Sequence, residues 1–339
     1  MKFDFVIGNP PYQQPSKGAN ENDTPIYHLF FIESFKIGKR VELISPARFL
    51  FNAGGTPVDW NTKMLNDEHV KVMAFYGKSQ EVFSNTDIKG GVAVTYMDSP
   101  KNYGAIQWFT PFPLLNSICK KVSGVSKRSL SEIVTNRGIY RYSDKIYEEE
   151  PQEVAKSADR RIAPSAFERM PRIFTEDRPK NRRQYIQIYG NIKSERVYRW
   201  VRKDFVKDVD NLYKYKVLVP KATGNGVLGE VLSSPLVCAP MVGFTETYIS
   251  IGQTDEKEEA EAILKYIKSK FARVMLGVLK VTQNISKETW EKVPLQDFTK
   301  NSDINWNVSI PNIDKQLYKK YGLTDEEVSF IETNVKEME

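Results

Sequence analysis

The chain has 339 residues, of which 40% are hydrophobic and 27% charged, and its formal net charge is +6. This length and apolar content are enough for a buried core and about two domains, which excludes a disordered tail. No apolar run reaches the ~18 residues of a membrane helix, and no signal-peptide pattern is present, so we expect a cytoplasmic protein with no membrane contact. Two cysteines and two histidines without paired spacing predict neither a disulfide framework nor a metal site.

The first element is an apolar run over residues 3–7 that ends abruptly in Gly, Asn and two prolines. Neither Pro10 nor Pro11 can donate to a sheet ladder, so the pattern predicts a buried strand that stops at a rigid turn. Ligands of open α/β sheets bind at the carboxyl ends of strands. The Asn9 amide oxygen and the local carbonyls are acceptors beside the flat ring of Tyr12, which suits a planar ring with an exocyclic amine.

Residues 9–12, Asn-Pro-Pro-Tyr, resemble the NPPY motif of the N6-adenine-specific DNA methyltransferases of type II restriction–modification systems. Such enzymes use S-adenosylmethionine and flip the target adenine out of the duplex. The resemblance implies that Asn9 and the Pro10 carbonyl accept hydrogen bonds from the adenine amine and that Tyr12 stacks on the base. Pro10 and Pro11 fix φ and so keep the turn rigid. It also implies catalysis by positioning and electrostatics, without a covalent enzyme intermediate.

Three other interpretations of this motif remain open. A tetrapeptide with two prolines can be an ordinary turn. The same tetrapeptide occurs in protein glutamine methyltransferases, so it is specific for methylation of an amide or amine nitrogen and less so for DNA. The chain could also be a non-catalytic, sequence-specific DNA-binding module that has kept recognition without chemistry.

Helix and strand patterns alternate over the first third of the chain. Thr24, as cap, and Pro25, at the first helical position, predict a helix that ends at Gly38. Strands are predicted over residues 41–46, 70–76 and 91–97, and a short helix over residues 58–66. This order predicts an α/β fold for residues 1–125, which resembles the C-terminal half of a Rossmann-like methyltransferase sheet, the half that supplies the target-base pocket.

A second stretch with a resemblance to the family lies before the last of these strands. Residues 82–83 and 87–92 are similar to a later motif, a loop and a strand that line the target-base pocket. Phe83 is therefore predicted as a second aromatic face against the base. An ordinary core phenylalanine at a strand end is the alternative.

The sequence departs from the family in its cofactor half. A strand, a glycine-rich turn and an acidic residue should precede the motif, yet only eight residues do. Residues 224–229 have glycine spacing but lie between two predicted strands. The main S-adenosylmethionine motif is thus missing, which a shortened chain, a broken gene or a second chain supplying the cofactor half would explain, and the chain alone is expected to be inactive.

Loss of that half would leave the first strand at a sheet edge. Proteins normally pair or cover such edges. We expect a partner chain, a rebuilt local segment or a dimer mate to cover this one.

Positive charge is concentrated in the middle of the chain, where residues 126–216 hold 22 Lys and Arg against 14 Asp and Glu. Over residues 160–207 these cations alternate with aromatics, which suits phosphate forks, stacking and base-edge contacts. Double-stranded DNA is the expected partner, and a solvated face is the alternative. The predicted DNA-binding residues are Arg160, Arg161, Arg172, Arg178, Lys180, Arg182, Arg183, Arg196 and Arg199.

Residues 126–339 resemble the target-recognition domain of these enzymes, which implies an α+β domain that ends in helices. Strands are expected over residues 216–220, 235–240 and 247–251, followed by one amphipathic helix that Thr254 caps and that runs to Val278. Thr324 begins a capping box for the last helix. No paired carboxylates with a lysine on adjacent strands are evident, so no nuclease activity is predicted.

Overall fold

The computed structural model describes residues 3–15, 23–51, 55–86, 88, 90–157, 159–280 and 282–338. The chain divides into two compact units, Met1–Asn116 and Ser117–Glu339. Within the described residues, none of the helices has the length and apolar character needed to cross a bilayer.

The N-terminal unit consists of a sheet with helices packed against it. Its elements are β1 (Phe3–Gly8), β2 (Gln13–Gln14), β3 (Thr24–Pro25), α1 (Tyr27–Ile37), β4 (Gly38–Pro46), a 3-10 helix (Ala47–Phe51), α2 (Val58–Asn66), β5 (Val70–Tyr76), a 3-10 turn (Ser79–Glu81), β6 (Val92–Asp98) and the start of α3 (Pro113–Val125). The aromatic residues Phe31, Phe49 and Trp60 lie at the centre of its core.

The main sheet of this unit has the order β1-β4-β6-β5. β1 is parallel to β4, while β6 is antiparallel to both of its neighbours. Three strands therefore run in one direction, and β6 runs the other way between β4 and β5. The α/β class predicted for residues 1–125 is confirmed as a mixed α/β fold.

β1 is the outer strand of this sheet, and it was expected to be buried. Among the described residues nothing pairs with its outer edge, and Phe3, Phe5 and Ile7 are 46%, 60% and 76% exposed. The prediction of a buried strand is wrong. An apolar run is typical of a strand inside a sheet, whereas β1 is an edge strand whose one neighbour is β4 among the described residues. A local segment was one of three candidates expected to cover this edge, and the described part of the chain contains no such segment.

α1 begins two residues later than predicted. Thr24 and Pro25 form β3, which pairs with Gln13 and Gln14 of β2, and the helix starts at Tyr27. The local helix-start signal is overridden because these residues take part in a non-local strand pair.

The C-terminal unit combines two three-stranded sheets with short helices. Its elements are α4 (Asp144–Glu149), α5 (Pro151–Val154), α6 (Ala166–Arg169), β7 (Tyr185–Ile192), β8 (Glu195–Arg202), β9 (Tyr215–Pro220), β10 (Leu236–Cys238), β11 (Val242–Phe244), β12 (Tyr248–Thr254), α7 (Lys257–Lys268), α8 (Lys270–Leu276), α9 (Ile310–Lys320) and α10 (Asp325–Asn334). The sheets have the orders β11-β7-β8 and β10-β9-β12. Side chains of both sheets share one hydrophobic core.

The long helix predicted from Thr254 is two helices. Thr254 ends β12, and α7 begins at Lys257. The helix is interrupted at Ser269, whose hydroxyl accepts from the Ala272 N–H and caps α8. The prediction of one continuous helix is wrong because the spacing of apolar residues stays the same across a one-residue interruption and so does not reveal it. The capping box at Thr324 is confirmed.

Candidate active site

The candidate site lies where two parallel strands of the N-terminal unit end. Since β1 and β4 run in the same direction with Gly8 opposite Leu43, the NPPY turn (residues 9–12) lies beside the residues that follow β4. An open cavity of about 600 Å³ is found there. Its described lining residues are Asn9, Tyr12, Gln13, Pro25, Tyr27, Pro46, Arg48, Phe83, Thr86 and Ile88.

The NPPY turn is fixed on one side and open on the other. The Tyr12 carbonyl accepts from the Ile26 N–H at 3.0 Å, which ties the turn to the start of α1. Pro10 is buried and Asn9 is exposed. In the described part of the chain, neither the Asn9 side chain nor the Pro10 carbonyl has a hydrogen-bond partner, so both can accept from a ligand.

Tyr12 and Phe83 provide two aromatic surfaces in the cavity. Their ring centroids are 6.4 Å apart and their planes meet at 66°, an edge-to-face contact. Burial raises the pKa of the Tyr12 phenol to about 12, so Tyr12 is neutral at physiological pH. The structure thus brings Phe83 next to the NPPY turn, 71 positions away along the sequence, and the stacking roles of both rings stay predictions.

The loop that carries Phe83 is organised by Ser79, which sequence reasoning missed. Its buried hydroxyl donates to the Thr86 carbonyl and accepts from the Ile88 N–H, both at 2.8 Å. The Phe83 N–H donates to the Ser79 carbonyl at 2.8 Å. A loop without regular elements needs a polar side chain to satisfy its backbone, which was the available signal. Residues 87 and 89 of the predicted later motif lie outside the described residues.

Arg48 is a second lining residue that sequence reasoning missed. It belongs to the 3-10 helix that follows β4, and its side chain packs against Gly90, where an added Cβ would lie 2.8 Å from the Arg48 Cγ. The neighbouring Gly91 carbonyl accepts from the Ala47 N–H at 3.0 Å. Two consecutive glycines, both at positive φ, were a sequence signal for this close approach.

Five of the nine predicted DNA-binding cations have partners within the C-terminal unit. Arg160 pairs with Asp144, Arg161 with Asp159 and Glu246, Arg183 with Glu149 and Arg199 with Glu176, while Arg196 donates to the carbonyls of Ser233 and Ser234. The Arg178 guanidinium lies 5.6 Å from the Trp200 ring centroid. Arg172, Lys180 and Arg182 are exposed and have no ion pair among the described residues.

The glycine-rich residues 224–229 enclose a protein carboxylate. The Asn225 and Gly226 N–H groups donate to Glu230 at 2.8 and 3.1 Å, and Glu230 is paired with Lys280. An added Cβ at Gly224 would lie 1.9 Å from this carboxylate. Since the loop is filled and no helix follows it, the described residues do not fit the glycine-rich S-adenosylmethionine motif.

Comparison with known proteins finds matches to part of the chain. Residues 1–83 match the family described as Eco57I restriction-modification methylase. An uncharacterized adenine-specific methylase of Mycoplasma pneumoniae is 27% identical over 95 residues, which are 27% of this chain and 22% of that protein. The chain thus matches about a fifth of the length of this curated relative.

Two solved structures resemble this one weakly. The type IIG restriction endonuclease BpuSI aligns over 98% of this chain and 53% of its own, with a TM-score of 0.38 and 11% identity. The Type IIL restriction-modification enzyme MmeI, in complex with DNA, aligns over 97% and 56%, with a TM-score of 0.37 and 12% identity.

The sequence matches confirm the predicted resemblance. Residues 1–83 are similar to the Eco57I restriction-modification methylase family, and 95 residues of the chain are similar to an adenine-specific methylase. This family implies the use of S-adenosylmethionine.

Proposed function

We propose that the chain supplies the target-adenine half of an N6-adenine DNA methyltransferase, together with a unit that binds duplex DNA. The observation that supports this most directly is the NPPY turn at the carboxyl end of β1, which shares a cavity with Phe83. A cavity of about 600 Å³ is of the size that holds a flipped nucleotide.

The residues of this chain would hold and polarise the amine. The Asn9 amide oxygen and the Pro10 carbonyl each accept one N–H of the adenine amine, which turns the nitrogen lone pair out of the ring plane and toward the methyl donor. Tyr12 stacks on the base and fixes its plane. S-adenosylmethionine supplies the methyl group, and its main binding motif must come from outside the described residues.

We propose further that this cofactor half pairs with the outer edge of β1. The exposed apolar side chains of β1, Phe3, Phe5 and Ile7, and the exposed Leu29 and Phe30 of α1 support this. Strands of parallel sheets are normally covered on both faces, and a long apolar edge strand is normally paired or covered. A second chain with a parallel strand and a cofactor loop would cover this surface and complete the site.

An Asn9→Ala variant tests the proposed pocket. We expect weaker binding of deoxyadenosine in calorimetric titration and unchanged affinity for a random-sequence duplex in a shift assay, because Asn9 lies in the N-terminal unit. Gln13→Ala, at another lining residue, is the matched control. Equal deoxyadenosine affinity of wild type and Asn9→Ala would contradict the proposal.

The second candidate is a DNA-binding module without chemistry. The absence of the glycine-rich cofactor motif from the described residues favours it for this chain alone. It predicts duplex binding with no deoxyadenosine binding at all. A protein glutamine methyltransferase is the third candidate, and it predicts no affinity for the duplex at low salt.

A further inference from the structure

We propose that Arg48 binds the phosphate of the nucleotide whose base the NPPY turn holds. This inference rests on the proposed function and specifies its substrate class, because a phosphate ligand at this position makes the pocket a nucleotide site. A glutamine side chain has the amide nitrogen but no anion for Arg48 to bind.

Arg48 is placed for this role by the end of β4. It is the only charged side chain among the described lining residues of the cavity, and it shares that lining with Asn9 and Tyr12. It is half-buried, and no described residue forms an ion pair with it. A cation in a cavity whose described lining residues include no anion is available for an anionic ligand.

The position of Arg48 is built into the backbone around it. Its stem packs on Gly90, at φ +88°, where an added Cβ would come within 2.8 Å of the Arg48 Cγ. The hydrogen bond from the Ala47 N–H to the Gly91 carbonyl holds the two segments together. The guanidinium is therefore carried on a fixed stem, which reduces the entropy lost on binding.

The chemistry of the site separates into two parts. Asn9 and the Pro10 carbonyl are neutral acceptors that match the amine of the base, and adenine itself carries no charge for Arg48 to neutralise. A guanidinium is always charged, and its planar fork matches phosphate oxygens. The anion nearest to a bound nucleobase in DNA is the phosphate of the same nucleotide.

Deoxyadenosine and 2′-deoxyadenosine monophosphate, as both the 5′ and the 3′ phosphate, are the probes for calorimetric titration of the full chain. For wild type we expect at least one monophosphate to bind about tenfold more tightly than the nucleoside, as a charge-assisted hydrogen-bond pair allows. Arg48→Met, which keeps an apolar stem on Gly90, should remove this preference and leave deoxyadenosine affinity unchanged. Arg48→Lys should restore part of it.

Arg40→Met is the control for general loss of charge, since Arg40 of β4 pairs with Asp98 and does not line the cavity. It should retain the phosphate preference. The Arg48 assignment is overturned if deoxyadenosine binds in an Asn9-dependent way with no gain from either phosphate. It is also overturned if Arg48→Met weakens S-adenosylmethionine binding instead, which would assign the guanidinium to the carboxylate of the cofactor. Failure of both nucleoside and nucleotide to bind overturns the proposed function as well.

Discussion

Single buried hydroxyl groups control the geometry of the candidate site. Ser79 is 1% exposed, and its hydroxyl satisfies backbone groups of Thr86 and Ile88 in the loop that presents Phe83. Removing that hydroxyl leaves the Thr86 carbonyl and the Ile88 N–H without this partner in a partly buried loop, which costs more than the hydrogen bonds themselves contribute.

We therefore expect Ser79→Ala to lower the free energy of unfolding by about 1–3 kcal/mol. Urea titration followed by circular dichroism measures this. The control is Ser84→Ala in the same loop, at an exposed serine, which should stay within about 0.5 kcal/mol of wild type. Equal stabilities of the two variants would show that the Ser79 hydroxyl does not organise the loop.

Asp314 is a buried carboxyl group that contacts the first turn of α8. It accepts from the N–H groups of Lys270 and Phe271 at 3.0 and 2.9 Å. Burial nevertheless raises the pKa of Asp314 to about 6, and the two backbone hydrogen bonds offset this only in part. The folded state therefore holds this proton more tightly than the unfolded chain does.

This shift predicts a pH dependence of stability. Because the folded pKa lies above the unfolded value of about 3.9, the contribution is fully present below pH ~4 and is lost as the pH rises to ~6. The free energy of unfolding of wild type relative to Asp314→Asn, which cannot titrate, should fall over this window. Unfolding titrations at pH 4, 5, 6 and 7 measure the difference, and a difference that is constant or that rises with pH would contradict the assigned pKa.

At the scale of elements, the turn between the Phe83 loop and β6 depends on glycine. Gly91 has φ +79°, and an added Cβ would lie 2.4 Å from the Tyr76 carbonyl oxygen. Gly104, in the same unit, has a similar φ of +74° with no atom within 4 Å of the added carbon. Both glycines have a left-handed backbone that strains other residues, but an added Cβ would clash with neighbouring atoms only at Gly91.

We expect Gly104→Ala to cost about 1–2 kcal/mol for the left-handed backbone alone. Gly91→Ala should cost several times as much, because the backbone of β5 cannot move away from the added carbon without breaking the sheet. Thermal unfolding of both variants compares them directly. Similar melting temperatures would indicate that the turn relaxes and that the close approach is unimportant.

Elements defined by local pattern were predictable from the sequence. α2 and β5 begin and end at the predicted residues, 58–66 and 70–76, because each is a compact apolar pattern between turn signals. The predictions of element boundaries were wrong where the local structure depends on a residue further along the chain. β3 forms against Gln13 and Gln14, and the start of α8 is held by Asp314, 44 positions further along the chain.

The same distinction applies to the candidate site. The NPPY turn was recognisable because its chemistry is contained in four consecutive residues. Arg48 and Ser79 were not, because an arginine after a strand and a serine before a loop acquire their significance only from the cavity and the backbone groups they contact. The consecutive Gly90 and Gly91 were the sequence signal for the position of Arg48.

For the whole molecule, the charge distribution leads to a prediction about DNA affinity. Arg172, Lys180 and Arg182 are exposed and unpaired among the described residues, so each can neutralise a phosphate and release counterions. The partnered arginines are already neutralised by carboxylates in part, as Arg161 is by Glu246.

Replacing Arg172, Lys180 and Arg182 together by glutamine should weaken duplex binding. It should also reduce the slope of log affinity against log salt by roughly 2.7, at ~0.9 per cation. Fluorescence anisotropy at 50–200 mM salt measures both effects. A triple glutamine variant at Lys257, Lys300 and Lys319, exposed lysines of the acidic C-terminal third, should leave the slope unchanged, and an equal effect of the two sets would show that binding follows net charge alone.

The open edge of β1 also affects the solubility of this protein when it is expressed in a cell. An apolar strand whose outer edge no described residue pairs with is a template for further strands, so two copies of the chain can join edge to edge. The yield of soluble protein then depends on how quickly another strand pairs with β1 after the chain is synthesised. If a second chain covers β1 as proposed, co-expression with that chain should increase the yield of soluble protein more than any change to the core.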